Sequence, residues 1–348
     1  MATESEGRPA GEPGSPGRPG PLAMCVVLLV LAACGGTDAD AGADGEQPEP
    51  ITLYTCLSDE SIQPVLAAFE ESEGGAPVDL FRAPTGELNA RVAADVRSGG
   101  LQADVFWGCD PLTVQALVAS DLVGGWTPPE ADAIPEEFRT LDSVGGHVLY
   151  LVAVHSTDVP APQEWSDLAA SGAVAVPDPS VAVPDPSVAA SALGALGWFA
   201  SSPDYGVDFY RDLESAGAVQ VSTPDDVTTG VAQGVYDAGM TTAQSAYAAK
   251  EAGSPVDVAW PEPGAVAVHG PVALAADSAD SATAKAFFSF VLSEEGQTVL
   301  GESGSYPTRP GVPGPTVPDG APTVSPDWAA IGQDRDAILS EYQQVFGG

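Results

Sequence analysis

The chain has 348 residues, with 49 acidic residues against 11 basic ones and a formal net charge of -38. This balance argues against a nucleic-acid ligand, because binding of the phosphate backbone needs cationic side chains. It also argues against a basic surface that docks on anionic membranes.

The first predicted segment is an export signal. Residues 22–30 form an apolar run that is too short for a membrane-spanning helix of about 20 residues and is typical of a secretory signal. Two small residues directly before Cys34 resemble a bacterial lipobox, which implies that Cys34 carries a lipid; an ordinary signal peptide is the alternative. We therefore expect a signal peptide over 1–33, a flexible tether over 34–50, and a location outside the cytoplasm at the cell membrane.

Two cysteines remain for the exported body. Cys25 leaves with the signal and Cys34 carries the lipid, so Cys56 and Cys109 form an even pair. An exported protein folds in an oxidising compartment, which favours a disulfide between them. Each follows a predicted strand, and the two can meet if both strands of a parallel sheet end at one edge.

Strand and helix patterns alternate in the N-terminal half. We expect Thr85 to cap the second helix and Asp110 to cap the third. The predicted elements are strand 51–54, a helix containing 62–69, strand 78–81, a helix over 85–96, strand 103–107 and a helix over 110–118. This order implies a parallel sheet with right-handed crossovers.

The C-terminal half contains a second α/β set and one short repeat. Residues 174–180 recur at once as 181–187, and we expect one copy to end a strand and the other to form a loop. The predicted elements are strands 148–154, 172–177, 218–222, 236–240 and 265–275, helices 190–199, 205–216, 224–233, 281–292 and 335–346, and an irregular stretch 305–325.

The sequence offers little for catalysis. None of the three histidines has metal-ligand spacing with another ligand, and the chain lacks a Gly-x-Ser-x-Gly turn and a phosphate-binding Gly-rich loop with Lys. We therefore expect a binding protein rather than an enzyme, without a resident cofactor.

The strand-to-helix junctions are the candidate binding sites. Ligands of open parallel sheets bind beyond the carboxyl ends of the strands, and helix N-termini favour anions. Ser58, Thr85 and the backbone at Gly86 are therefore predicted to hold a phosphate, phosphonate or carboxylate, unless these side chains only cap helices. Acidic side chains at the same junctions are candidates for an amine or a metal: Asp59, Glu87 and Asp110.

Several segments carry a family resemblance. They include Thr85-Gly86-Glu87-Leu88, Ala103-Asp104-Val105-Phe106-Trp107-Gly108, Trp260-Pro261-Glu262-Pro263-Gly264 and Tyr306-Pro307-Thr308-Arg309-Pro310. Because these segments occur in this order, the chain from residue 51 to about 310 resembles the extracellular solute-binding proteins of ABC importers. The similar group is the iron(III) type, which also includes phosphonate, sugar-phosphate and polyamine binders.

The resemblance implies two α/β lobes, a hinge of two crossing strands and a ligand captured between the lobes. Lobe one would comprise 51–146 plus 268–304, and lobe two 147–267 plus 305–348. The expected partners are an ABC permease and its ATPase, with the receptor itself a monomer. Lobe two would contribute these ligand-binding residues: Ser191, Gln244 and Tyr247.

The resemblance favours an organic phosphate or phosphonate over iron. Ferric binders have a His in the first junction and two consecutive Tyr in lobe two, where this chain has Ser58 and Ala246-Tyr247. A ferric or iron-chelate receptor is the alternative, with Glu87 and Tyr247 as metal ligands and iron as cargo. An extracytoplasmic α/β enzyme is a more distant alternative.

Overall fold

The computed structural model describes residues 48–171 and 181–347. The predicted signal peptide, most of the tether and Cys34 lie outside these residues. The first six elements alternate as predicted: β1 (Ile51–Thr55), α1 (Asp59–Glu71), β2 (Val78–Arg82), α2 (Thr85–Ser98), β3 (Val105–Trp107) and α3 (Pro111–Ala119). Strand β1 pairs in parallel with both β2 and β3, so the carboxyl ends of all three lie at one edge.

The local sequences explain where these helices begin. The Ser58 hydroxyl accepts a hydrogen bond from the backbone N–H of Ser61, and Asp110 caps α3 in the same way. The prediction that Thr85 caps α2 is wrong, because Thr85 is already the first helical residue and Pro84 holds the cap position. The α2 N-terminus therefore has no side-chain cap.

The remaining described elements build a second α/β set and its extensions. In chain order they are β4 (Val144–Ser156), α4 (Asp167–Ser171), β5 (Val181–Pro184), α5 (Ala190–Ser201), α6 (Asp208–Ser215), β6 (Val219–Val221), α7 (Pro224–Ala232), β7 (Ala238–Thr242), α8 (Ala243–Glu251), β8 (Val256–Ala259), β9 (Ala265–Leu274), α9 (Ala282–Leu292), α10 (Glu294–Glu302), β10 (Tyr306–Pro307), β11 (Thr323–Val324) and α11 (Trp328–Phe346). Short 3-10 helices lie at Pro129–Ala133, Glu136–Phe138 and Ala276–Ser278.

Two predictions for this half need correction, and a third falls on residues that the structure does not describe. The strand near the repeat is β5 in the second copy, whereas the predicted strand 172–177 lies outside the described residues. The stretch 305–325 is not wholly irregular, because β10 adds to β4 and β11 adds to β9. The last helix begins before residue 335, because Asp327 accepts hydrogen bonds from two first-turn N–H groups of α11.

Two long strands join the two halves of the sheet. The main strand order is β2-β1-β3-β9-β4-β7-β5-β6, so β9 and β4 lie at the centre. They run antiparallel, from the pair Val144 and Val272 to the pair Leu151 and Val266, with an irregularity between Gly145 and His147. These strands are the two crossing strands that the resemblance implies for a hinge.

Each half of the sheet has its own buried aromatic core. In the first half, Phe69 of α1 meets Phe287 of α9 edge-on, with ring centroids 5.0 Å apart. In the second, Phe199 of α5 stacks on Phe209 of α6 at 4.0 Å, and Tyr342 of α11 joins this core. Burying such side chains contributes about 1.5–3 kcal/mol each. The lobe boundaries at 146/147 and 267/268 stay a prediction.

None of the helices within residues 48–171 and 181–347 combines the length and the apolar character that a bilayer crossing needs.

Candidate ligand-binding cleft

A cavity of about 420 Å³ lies between the two halves of the sheet. Its first wall comes from the β1–α1 and β2–α2 junctions, including Ser58 and Thr85. Its second wall comes from the starts of α5, α7 and α8, and the floor includes His147 and Leu149 of the crossing strand β4. The cavity therefore receives side chains from both lobes and from the hinge.

Five helices begin at this cavity, at Ser58, Thr85, Ala190, Pro224 and Gln244 or their immediate neighbours. A helix N-terminus carries unpaired N–H groups and a partial positive charge. At α2, α5 and α8 the cap positions are Pro84, Ala189 and Thr242, and none of them forms a side-chain cap hydrogen bond. Together these helix starts direct backbone N–H groups toward one cavity, an arrangement that favours a bound anion.

Arg82 carries the one basic charge among the described residues that line the cavity. Its Nε donates to the backbone oxygen of Leu57 at 2.9 Å, which fixes the guanidinium beside the α1 N-terminus. Within the described residues Arg82 forms no ion pair, so its terminal N–H groups are available to an anion. Two exposed acids, Glu60 and Asp225, lie at the rim.

The cavity collects four of the nine residues that the sequence proposes for ligand binding. Ser58 and Thr85 contribute from lobe one, and Ser191 and Gln244 contribute from lobe two. Ser191 is buried, and the Gln244 Oε1 atom is buried without a hydrogen-bond partner among the described residues. A role for these four in binding stays a prediction.

The other lobe-one candidates do not line the cavity. Asp110 is buried as the α3 cap, where it accepts from the N–H of Thr113 at 2.9 Å and from its hydroxyl at 2.9 Å. Burial raises the pKa of the Asp110 carboxyl. Asp59 and Glu87 are exposed in the first turns of α1 and α2, where negative charge favours the helix dipole.

Gly86 contacts the opposite lobe directly. Its N–H donates to the backbone oxygen of Val188 at 3.3 Å, so this amide is used between the lobes rather than within the cavity. A Cβ on Gly86 would stand 3.1 Å from the backbone oxygen of Ser187, which shows how closely the two chains approach.

Tyr247 lies away from the cavity, on the other face of the crossing strands. Its hydroxyl accepts a hydrogen bond from Trp260 Nε1 at 3.0 Å, and its neighbours include Tyr306 and Tyr150. The iron hypothesis pairs Tyr247 with Glu87, and neither lines the cavity. In the described part of the chain, His, Cys, Asp and Glu form no group of three or more that could hold a metal ion.

The predicted disulfide is present between Cys56 and Cys109, with the two Cα atoms 6.0 Å apart. It joins the ends of β1 and β3, as expected for two parallel strands that end at one edge. Both cysteines line the cavity. The disulfide therefore links the β1–α1 junction of the first wall to the β3–α3 junction.

Sequence reasoning missed His147. This residue is fully buried, and its Nδ1 accepts from Trp107 Nε1 at 3.0 Å. Burial, with a smaller contribution from His269, lowers the pKa of His147 to about 3. The one signal in the sequence is a polar residue within an apolar strand, and only the pairing of β4 with its neighbours shows where that residue points.

A model of the family of bacterial extracellular solute-binding proteins matches residues 52–305. The chain belongs to this family. As an extracellular solute-binding protein, it has its cavity where strands from two lobes end and where the two crossing strands meet. No protein in the curated set matches the chain significantly.

Solved structures show the same fold for this extracellular solute-binding protein. The periplasmic binding protein AfuA from Actinobacillus pleuropneumoniae, with exogenous fructose-6-phosphate bound, has a TM-score of 0.75 and 18% identity, over 86% of this chain and 98% of AfuA. Iron-bound HitA from Pseudomonas aeruginosa has a TM-score of 0.71 and 20% identity, over 86% and 99%.

A third structure is the substrate binding protein of an ABC transporter from Agrobacterium tumefaciens, with a TM-score of 0.74 and 16% identity, over 88% of this chain and 96% of that one. At these identities the likeness shows the fold alone. The fold of this solute-binding protein is thus a mixed α/β architecture of two lobes, as the resemblance implied.

Proposed function

We propose that this solute-binding protein captures a small organic anion of the phosphate or phosphonate type and delivers it to an ABC permease with its ATPase. The observation that carries the proposal is the set of five helix N-termini around one cavity, with Arg82 as its basic side chain. Binding occurs without chemical turnover, and the receptor acts as a monomer.

The mechanism is closure of the lobes around the anion. Donors come from both lobes, with Ser58, Thr85 and Arg82 on one side and Ser191 on the other. A ligand that contacts both sides favours the closed arrangement by its differential affinity. The crossing strands β4 and β9 are the natural hinge, because they connect the lobes at the centre of the sheet.

The test is binding of inorganic phosphate, organic phosphates and phosphonates to the purified protein by isothermal titration calorimetry. We expect Arg82→Gln to weaken anion binding at least tenfold, since a hydrogen bond to a charged group contributes about 1.5–3 kcal/mol. Arg97→Gln is the control, because Arg97 lies in the last turn of α2 and does not line the cavity.

Two outcomes would contradict the proposal. Equal losses in the Arg82 and Arg97 variants would show a general charge effect rather than a site. A visible tyrosinate absorption band on addition of ferric citrate, without binding of any organic anion, would favour the iron receptor instead.

We also propose that the protein is anchored outside the cytoplasm by a lipid on Cys34. The apolar run before Cys34 and the acidic, Gly-rich segment after it support this arrangement. Mass spectrometry of the membrane fraction should detect a lipid-modified N-terminal Cys34. Cys34→Ser should shift the protein to the soluble fraction, and an unchanged membrane fraction would count against the anchor.

A further inference from the structure

One hydrogen-bond donor at the cavity floor has no partner among the described residues. His147 accepts the Trp107 Nε1–H at its Nδ1 atom. Indole Nε1 can only donate, so Nδ1 must be unprotonated and the ring proton of the neutral imidazole lies on Nε2. The Nε2 atom is buried and unpaired.

The surrounding backbone holds this ring in place. A Cβ on Gly270 would stand 2.0 Å from His147 Cε1, and a Cβ on Gly146 would stand 2.9 Å from the Trp107 indole. Any side chain at either glycine would displace the pair. Burial lowers the pKa of His147 to about 3, so the imidazole is neutral at physiological pH and can donate one hydrogen bond.

A buried acceptor from lobe two lines the same cavity. Gln244 lies in the first turn of α8, and its Oε1 atom has no hydrogen-bond partner among the described residues. Buried polar atoms are almost always paired in native proteins, and each exception calls for an explanation. His147 supplies a donor and Gln244 supplies an acceptor.

A ligand hydroxyl matches both atoms, because a hydroxyl accepts one hydrogen bond and donates another. Phosphate, phosphonate and carboxylate anions can accept from His147, but when fully ionised they have no proton for Gln244. Arg82 and the helix N-termini around the same cavity supply donors for the charged end of the ligand. The cavity therefore offers donors for an anion and, in addition, a donor and an acceptor for an uncharged hydroxyl.

We propose that His147 and Gln244 form a hydroxyl-recognising subsite, so that the captured solute is an organic anion bearing hydroxyl groups, such as a polyol or sugar phosphate. This inference rests on the proposed anion-binding function. It assigns to the hinge strand β4 a direct contact with the ligand.

The test compares matched probes by calorimetry on the full-length purified protein. Glycerol 3-phosphate is paired with propyl phosphate, and glucose 6-phosphate with cyclohexylmethyl phosphate, so that each pair differs in hydroxyl groups. We expect at least one hydroxylated probe to bind roughly tenfold or more tightly than its hydroxyl-free partner, as expected when a buried polar pair is left unmatched.

Two substitutions separate recognition from structure. His147→Asn retains an acceptor for Trp107 and removes the donor at the Nε2 position, and should reduce the preference for the hydroxylated probe about tenfold. His147→Gln retains a donor near that position and should keep most of the preference. His155→Asn is the matched control, because His155 lies in the same strand but does not line the cavity.

Each result decides a distinct point. Equal binding of both members of each pair by the wild type, or equal loss for both in His147→Asn, overturns the hydroxyl subsite and leaves the anion function standing. Failure of the folded wild type to bind any phosphate ester or inorganic phosphate overturns the proposed function and this inference with it. Melting temperatures of all variants establish that they are folded.

Discussion

At the scale of single residues, His147 combines stability and recognition in one side chain. It is fully buried beside Trp107 and His269, and no described carboxylate contributes to its titration. Protonation would put a proton on Nδ1, where the Trp107 N–H already points. The neutral ring is therefore required by the fold, and acidification should act against it.

The pH dependence of stability tests this requirement. The pKa of His147 is about 3 in the folded protein and near 6.5 when unfolded, so the unfolded chain binds the proton first. The neutral His147 ring contributes fully to the free energy of unfolding above about pH 6.5, and this contribution decreases as the pH falls below that value. Relative to His147→Asn, the wild type should lose about 2 kcal/mol of unfolding free energy between pH 7.5 and pH 5.

Urea unfolding at both pH values gives this difference directly. The variant serves as the reference because acidification also changes many carboxylates, and these are shared by the two proteins. A difference between wild type and variant that stays constant with pH would contradict a buried, neutral His147.

At the scale of elements, the packing of α11 on α5 depends on missing side chains. A Cβ on Gly197 would stand 2.2 Å from Cδ1 of Ile331, and a Cβ on Gly194 would stand 2.5 Å from Cγ2 of Val268. Ile331 is buried, so it cannot swing into solvent. Gly197 therefore lets the C-terminal helix α11 lie directly against α5, and Gly194 lets α5 lie directly against β9.

Gly197→Ala should therefore destabilise the protein by about 1–3 kcal/mol, the usual cost of overpacking. Gly332→Ala is the matched control on α11, because its Cβ would meet only the end of the Leu112 side chain at 3.1 Å. In the control, better helix propensity should offset this mild contact. A melting temperature of Gly197→Ala equal to or higher than that of Gly332→Ala would contradict close packing of α5 and α11.

The repeat shows why an element can be predicted but not placed. Residues 174–180 and 181–187 are identical, so local propensity cannot choose which copy forms the strand. In the structure the second copy pairs with β6 and β7 and leads into α5. Its turn brings the Val188 carbonyl to the Gly86 N–H across the cleft. That contact depends on tertiary structure and has no counterpart in the local sequence.

At the scale of the whole molecule, the dominant feature is the charge of -38. Ion pairs among the described residues are few and mostly at the surface, so they leave the repulsion between carboxylates largely uncompensated. The cavity differs from this surface, because helix N-termini and the Arg82 guanidinium supply hydrogen-bond donors there. The net charge thus says little about the charge of the ligand.

Salt should stabilise this protein. Raising NaCl from 0.05 M to 0.5 M screens the repulsion and should raise the melting temperature, by about 2–4 °C for each kcal/mol removed. KCl at the same ionic strength is the control, since screening does not distinguish the two cations. A fall in melting temperature with both salts would show that attractive pairs, rather than repulsion, dominate the surface.

The sequence alone determined the features that depend on local pattern and on covalent chemistry. The order of strands and helices in the first half follows from apolar periodicity, and the cap at Asp110 follows from a side-chain acceptor before a helical run. The disulfide between Cys56 and Cys109 followed from compartment and from parallel strand ends. The family followed from short segments in a constant order.

Only the tertiary structure decided which polar groups share one cavity. Ser58, Arg82, His147 and Gln244 come from segments far apart in the chain, and β-pairing and lobe packing bring them together. The same packing keeps Tyr247 on the opposite face and uses Asp110 as a buried cap. Side-chain direction in a strand reverses with a one-residue change of register. Long-range contacts therefore set the direction of His147, which local sequence does not encode.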